Sequence, residues 1–267
     1  MWSKLVKNQF IIEYFYTPNW TILIHFFKQK PFLRDLIPDN YIDIHSHLLP
    51  GIDDGATTLE DSISLISQMS ALGFKNIITT PHIITNVWDN NEESIRRIHQ
   101  ETLGVIQEKC DVETFNIGCE YMMDSYFLKR LETEKLLTLK DNYLLVEMSY
   151  LSPPFQLYEI LFEIQLAGYK PILAHPERYL YYHNNFNEYD KLKKTGCLFQ
   201  LNLLSTVEYY GKFITKITDK LLNNEYYDFV GSDIHHQKHI NSFKNKIAIK
   251  NIEALKYVIL NNLFFLK

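Results

Sequence analysis

Seven short apolar runs set between longer amphipathic ones restrict what this chain can fold into more than any other feature. They are "YIDIH" (41–45), "NIITT" (76–80), "TFNIG" (114–118), "YLLVEM" (143–148), "KPILAH" (170–175), "CLFQLN" (197–202) and "YDFVGSD" (227–233). Each has the length and the β-branched or aromatic content of a buried strand. The clearest helix lies in "TTLEDSISLISQMSALGF", with Thr58 as N-cap, Asp61 three residues on and Gly73 as the stop. Leu59, Ile63, Ile66, Met69 and Leu72 then fall near one face, as packing on a sheet requires. Further helices are predicted over 92–109, 154–168, 186–196, 205–225 and 251–263. Strands alternating with helices long enough for crossovers imply an α/β fold with a largely parallel sheet. Periodicity leaves open whether that sheet is doubly wound or closed into a barrel. A barrel places functional residues at the C-terminal ends of its strands.

The polar residues fall at those ends. The first run leads into His45 and His47, the second into His82, the third into Glu120 and the fourth into Glu147. The fifth meets His175, the seventh Asp233 and His235, and the sixth ends with Gln200 and Asn202. A single histidine after a strand is ordinarily a hydrogen-bonded core or surface residue. Eight ionisable groups at the ends of six runs are a different matter, because buried charges need partners and a cluster of cations satisfies them together. Imidazole and carboxylate without thiolate suit Zn, Mn or Fe, and so many ligands imply two or three ions. Ions ~3.5–4 Å apart activate water and clamp a phosphoryl group, so hydrolysis of a phosphate ester is the leading chemistry. Arg178 is placed to grip a phosphate oxygen through its planar fork; its competing reading is a surface salt bridge.

Composition narrows the partners. The 267 residues are 46% hydrophobic and 22% charged, enough to bury a large core. A net charge of −5 with no long basic run argues against nucleic acid, which needs a concentrated positive face. Cys110, Cys119 and Cys197 are widely spaced and odd in number, so neither a disulfide framework nor a zinc ribbon is expected, and a reducing cytoplasm fits. None has an arginine six residues later, which sets aside the cysteine-dependent tyrosine phosphatases. "WTILIHFF" (20–27) is shorter than the ~20 apolar residues a membrane span needs, and no small-residue cleavage site follows it. Residues 1–37 read as a helical or partly disordered leader; flanking Lys and Arg residues also allow a helix lying on a membrane surface.

Taken in order, "DIHSHLLPGIDDGA", "TTPH", "GCEY", "LLVEM", "LAHPERY" and "SDIH" resemble the motifs of the polymerase-and-histidinol-phosphatase (PHP) superfamily. More narrowly they resemble the bacterial manganese-dependent protein-tyrosine phosphatases of capsule and exopolysaccharide loci. The resemblance covers about residues 38–265 and implies one PHP domain over 38–267, folded as a distorted seven-stranded, TIM-like β/α barrel. It implies three Mn2+ ions, with Fe, Zn or Mg as substitutes. It also implies a phosphotyrosine substrate on the tail of a membrane tyrosine autokinase, met in the cytoplasm or at the inner face of the membrane.

Carried over motif by motif, His45 and His47 would hold the first metal with Asp233 and a bridging Glu120. His82 and His175 would hold the second, and Asp54 and His235 the third. Glu147 would join either pair or stand behind it, with Asp53 a hydrogen-bonding neighbour and Asp43 orienting an imidazole. Arg178, His235 and Asp54 are the expected catalytic residues: Arg178 on the phosphoryl oxygens, His235 or a water protonating the departing phenolate. Where "TPH" continues as "IITNVWDNN", several members of the family place further histidines or basic residues. Trp88, Tyr121, Tyr150, Phe155 and Tyr179 are candidate walls for a phenyl ring, or ordinary core. The alternative reading is a phosphatase of a small metabolite such as histidinol phosphate. A nuclease and a catalytically silent module that docks a kinase tail are the others.

Overall fold

The computed structural model describes residues 29–266. Helix α1 (Leu59–Ala71) forms as its sequence dictates. Thr58 Oγ1 accepts from the Asp61 amide at 3.1 Å while the Asp61 carboxylate accepts from the Thr58 amide at 3.0 Å, so two otherwise orphaned donors are satisfied reciprocally. Gly73 ends the turn with φ of +109°. Helix α2 (Glu92–Lys109) is capped in the same way by Asn91. The remaining helices are α3 (Phe127–Thr133), α4 (Leu157–Leu166), α5 (Asn187–Lys194), α6 (Lys212–Asn223), α7 (Gln237–Ser242) and α8 (Ile252–Asn261). Of these, α3 and α7 were not expected; both are short, and their apolar spacing is too brief to register as a period. Among the described residues no helix is long and apolar enough to cross a membrane.

Among the described residues there are nine strands where seven were expected: β1 (Tyr41–Asp43), β2 (Phe74–Thr79), β3 (His82–Ile83), β4 (Thr114–Ile117), β5 (Glu120–Met122), β6 (Tyr143–Glu147), β7 (Lys170–Ala174), β8 (Leu198–Asn202) and β9 (Phe229–Gly231). The two added strands lie beyond the predicted runs: β3 follows the second (76–80) after Pro81, which has no amide to donate to a ladder, and β5 follows the third (114–118) after a break at Gly118–Cys119. Every pairing is parallel, giving one sheet of order β1-β2-β4 and another of order β3-β5-β6-β7-β8-β9. The sheets touch at both margins. On one side they are continuous through the chain, β2 running into β3 and β4 into β5, with Gly118 N donating to Thr79 O at 2.9 Å and Glu120 N to Pro81 O at 3.2 Å along that path. On the other, Asp233 N donates to His45 O at 2.7 Å and His47 N to Ile234 O at 2.9 Å. Below these, Asn262 is buried between β1 and β9, donating to Ile42 O and Val230 O and accepting from Val230 N.

Ile42, Ile44, Ile78, Leu145, Ile172 and Phe229 form a small apolar cluster enclosed by the two sheets, while a larger cluster lies between the sheets and the helices. Side chains two apart on a strand share a face. That rule carries each strand from core to site: Leu145 is followed by Glu147, Leu198 by Gln200 and Asn202, and Phe229 by Gly231 and Asp233. Residues 31–37, counted with the leader from sequence, pack on this body. Leu33 is buried and its amide donates to Asn245 O at 2.9 Å, and Pro31 O accepts from Ile247 N. The apolar stretch 20–27 lies outside the described residues.

Candidate metal centre

His45 and His47 leave the end of β1 on the same side, and both are fully buried. Each imidazole is fixed from behind. His45 Nδ1 is 2.8 Å from Gln200 Oε1, and His47 Nδ1 is 2.8 Å from Asp53 Oδ2. Both partners are acceptors, so both rings carry their proton on Nδ1 and present an Nε2 lone pair forward. His235 is set likewise by the Asp233 carbonyl at 2.9 Å from its Nδ1. The forward nitrogens face carboxylates: His45 Nε2 lies 3.1 Å from Glu120 Oε2 and 3.4 Å from Asp233 Oδ1, and His47 Nε2 lies 3.4 and 3.5 Å from the same atoms. A lone pair facing a carboxylate repels it unless a proton or a cation lies between.

The same opposition recurs around the pocket. Glu120 Oε2 is 3.2 Å from His82 Nδ1, and Glu120 Oε1 is 3.1 Å from His175 Nε2. Glu147 Oε1 is 3.0 Å from His82 Nδ1. Asp54 Oδ1 lies 3.5 Å from His82 Nε2 and 3.4 Å from His235 Nε2. His82 Nδ1, Glu120 Oε2 and Glu147 Oε1 are buried without a hydrogen bond, although they stand this close together. Donor atoms ~2.1 Å from a shared ion at 90–109° are separated by about 3.0–3.4 Å, which is the spacing found here. The residues therefore fit a metal cluster, and four interlocking sets of donors describe it: His47, Asp54, His82 and His235; His45, His47 and Asp233; His45, Glu120 and His175; His82, Glu120 and Glu147.

All nine metal candidates named from sequence are in these sets, with one difference of arrangement. His82 and His175 share no set; each instead meets Glu120, which belongs to two sets, while Glu147 belongs to one. β3 and β5 pair with His82 opposite Glu120, and β5 and β6 pair with Met122 opposite Glu147, so strand register holds the three side by side. Asp43 was expected to orient an imidazole and does not. Its carboxylate accepts from Ser232 N at 2.9 Å and Ser232 Oγ at 2.8 Å, tying β1 to the end of β9. Burial pushes that carboxyl up to about 6 against the Ser232 bonds. The orienting work falls to Gln200 and Asp53.

Charge in the pocket is balanced from within. Burial alone would push the Glu120 and Asp233 carboxyls up, but the neighbouring histidines, His45 foremost, hold both well below the usual range. The converse holds for His45: burial disfavours its cation, yet Glu120 and Asp233 raise it to about 9. His175 and Asp233 also have left-handed backbones, φ +36° and +51°, although neither is glycine. Such conformations cost ~1–3 kcal/mol each and persist where the surroundings over-determine them. Two glycines make room. A Cβ on Gly55 would lie 2.1 Å from His47 O, so the "DDG" turn closes directly on the His47 backbone. A Cβ on Gly231 would lie 2.5 Å from Gln200 Nε2 and 2.6 Å from His45 Cβ. Gly231→Ala is expected to cost about 2 kcal/mol by overpacking and to lower Tm by roughly 4–8 °C, with reduced metal content because His45 is displaced. Calorimetry and elemental analysis of the purified variant check both.

Arg178 sits at the rim. Its Nη1 donates to Asp233 Oδ2 at 2.8 Å, and the guanidinium lies over the rings of Tyr210 and Tyr150, 4.2 and 4.7 Å from their centroids. In contact with two rings as well as a buried carboxylate, it is more than a surface ion pair. Asn202 Nδ2 donates to the same Asp233 oxygen at 2.7 Å, and the Asn202 amide is held by the buried Glu177 carboxylate at 3.0 Å. Trp88 stacks on His82, with centroids 5.1 Å apart and planes 12° apart, and Tyr150 stacks on His175. Of the other aromatic candidates, Tyr179 packs against His175 and Tyr150, with ring centroids 5.9 Å from each. Tyr121 and Tyr179 are buried, their hydroxyls accepting from Leu137 N and Met148 N, and Phe155 is fully exposed. The three cysteines are buried, and burial pushes the Cys197 thiol up to about 12. His239 was missed from sequence: burial lowers it to about 3, and its Nδ1 accepts from the His235 amide at 3.1 Å.

Comparison with known proteins agrees with this chemistry. Residues 41–253 match the family described as capsular polysaccharide synthesis, CpsB/CapC. The tyrosine-protein phosphatase YwqE of Bacillus subtilis (strain 168) is 31% identical over 199 residues, 74% of this chain and 78% of that protein. The tyrosine-protein phosphatase CpsB of Streptococcus pneumoniae is 31% identical over 202 residues, 73% of this chain and 82% of its own length. One of the crystal structures of YwqE and CpsB, described as unique metal-dependent tyrosine phosphatases, superposes with a TM-score of 0.68 at 28% identity, covering 84% of this chain and 85% of that one. The chain belongs to the CpsB/CapC family of capsular polysaccharide synthesis proteins.

Proposed function

We propose that this chain is a metal-dependent protein-tyrosine phosphatase. The observation that carries the reading is the four interlocking donor sets, with His45, His47 and His235 each fixed from behind and an arginine at their rim. Three ions are the reading of choice, Mn2+ first and Fe, Zn or Mg as substitutes. His45, His47 and Asp233 would hold one, Glu120 would serve with His175, His82 and Glu147, and Asp54 would complete the outer set with His47, His82 and His235. Bound there, the cations would supply an activated water and neutralise charge on the phosphoryl oxygens. Arg178 orients the phosphate through guanidinium N–H groups that Asp233 does not engage. With His235 Nδ1 held by the Asp233 carbonyl and its Nε2 in the outer donor set, the proton for the leaving oxygen would come from water; phenolate, with a pKa near ~10, needs little help. Trp88 and Tyr150, flanking His82 and His175, form the walls for the substrate ring.

The two sheets are read as arcs of one distorted barrel of seven strand positions, with β2–β3 and β4–β5 each counted as one. The bonds at both margins and the Asn262 bridge support this. The PHP domain expected over 38–267 is extended to include residues 31–37, which pack on its body, with the leader preceding them. The substrate is read as a tyrosine-phosphorylated protein, the tail of a membrane tyrosine autokinase, met in the cytoplasm or at the inner membrane face. The test sets a phosphotyrosyl peptide beside histidinol phosphate, with and without chelator. The peptide is expected to turn over faster, and a chelator to abolish turnover until Mn2+ is restored. Faster turnover of histidinol phosphate would instead make this a metabolite phosphatase.

A further inference from the structure

Helix α4 is apolar on two faces. Leu157, Ile160, Leu161 and Ile164 are buried against the body, as a surface helix requires. The outward face should then be polar, yet Tyr158, Phe162 and Leu166 stand exposed at i, i+4 and i+8, one stripe along the helix. The stripe begins at a cavity of about 350 Å3 between Pro153–Phe155, Tyr158 and Tyr181–Tyr182. That volume is at the small end of the ~300–1,000 Å3 of ligand sites and suits one or two side chains. It offers no free charge: its acid, Glu188, already accepts from Tyr158 Oη at 2.9 Å and from Lys191 at 2.6 Å.

Stripe, cavity and metal centre are continuous. One loop joins them: Tyr150 lies against Arg178 and His175, while five residues on Phe155 projects fully into solvent at the cavity. Tyr181 Oη donates to Ser149 O at 3.0 Å, pinning that loop to the cavity wall. Pro153 and Pro154 stiffen it, so little freedom is lost on binding. Exposed apolar patches of this kind mark interaction sites. A polypeptide with a residue in the metal centre must leave over one rim, and this rim is apolar. An anionic membrane fits less well, because Glu159 and Glu163 flank the stripe where basic residues would be needed.

We propose that this face docks the polypeptide flanking the phosphotyrosine, with an apolar side chain in the cavity and the chain continuing over the α4 stripe. The proposal rests on the phosphatase reading above. Its test uses Phe155→Ala and Phe162→Ala, exposed positions away from the metal centre, in the Mn2+-loaded protein. Three probes are compared: p-nitrophenyl phosphate, a synthetic phosphotyrosyl peptide flanked by leucine and phenylalanine, and its alanine-flanked counterpart. Each variant is expected to lose about tenfold in kcat/KM for the apolar-flanked peptide, through KM, with the other two probes unchanged. An equal loss on all three, or none, overturns the proposal. Loss of a dimer in sedimentation with unchanged peptide preference assigns the face to a second copy and also overturns it. If the unmodified protein hydrolyses none of the probes, the phosphatase reading fails. Anisotropy of the labelled apolar-flanked peptide then still decides docking, weaker binding by the variants supporting it and unchanged binding refuting it.

Discussion

Glu120→Gln is expected to lower kcat/KM for a phosphotyrosyl substrate by ~10³-fold or more and to reduce the bound metal. Losing a partner that stands behind a metal ligand costs ~10–100-fold. Glu120 is in front: its two oxygens meet His45, His47, His82 and His175 at 3.1–3.4 Å, and it belongs to two donor sets. The amide keeps the volume but loses the charge and turns one acceptor into a donor aimed at imidazole lone pairs. Steady-state kinetics with elemental analysis decide the matter. Activity within tenfold of the unmodified protein, at full metal content, would show that Glu120 is a spectator.

Arg178→Ala has the next largest expected effect, ~10²–10³-fold in kcat/KM, in the range seen when one preorganised donor to developing charge is removed. Arg178→Lys should recover little, because an ammonium neither stacks on the Tyr150 and Tyr210 rings nor holds Asp233 and a phosphate oxygen through one planar fork. Metal content should be nearly retained, since Asp233 keeps its bond from Asn202. That separates loss of phosphate recognition from collapse of the centre. Activity within threefold for Arg178→Ala would return this residue to a surface ion pair.

Both predictions start from residues visible in the sequence, and the reasons they were visible are physical. Strand periodicity pushed His45, Glu147 and Asp233 to the ends of apolar runs, and local chemistry fixed the Thr58–Asp61 cap. Local signals of that kind do not depend on what packs nearby. The errors share the opposite cause. Asp43 follows the same strand alternation as His45, yet its partner is Ser232, nearly two hundred residues away, and only the meeting of β1 with β9 places it there. Past the breaks at Pro81 and Gly118–Cys119, beyond the second and third runs, the chain forms the two unexpected short strands β3 and β5.

By itself, then, the sequence determined which imidazoles and carboxylates gather at the strand ends, because burying so many there is tolerable only around cations. Tertiary structure alone decided how they are shared. Strand register set Glu120 among His45, His82 and His175; Gln200 and Asp53 selected the imidazole tautomers; and Tyr210 and Tyr150 closed on Arg178. These are contacts between residues far apart along the chain. Their geometry depends on which elements become neighbours, and no local period in the sequence records that.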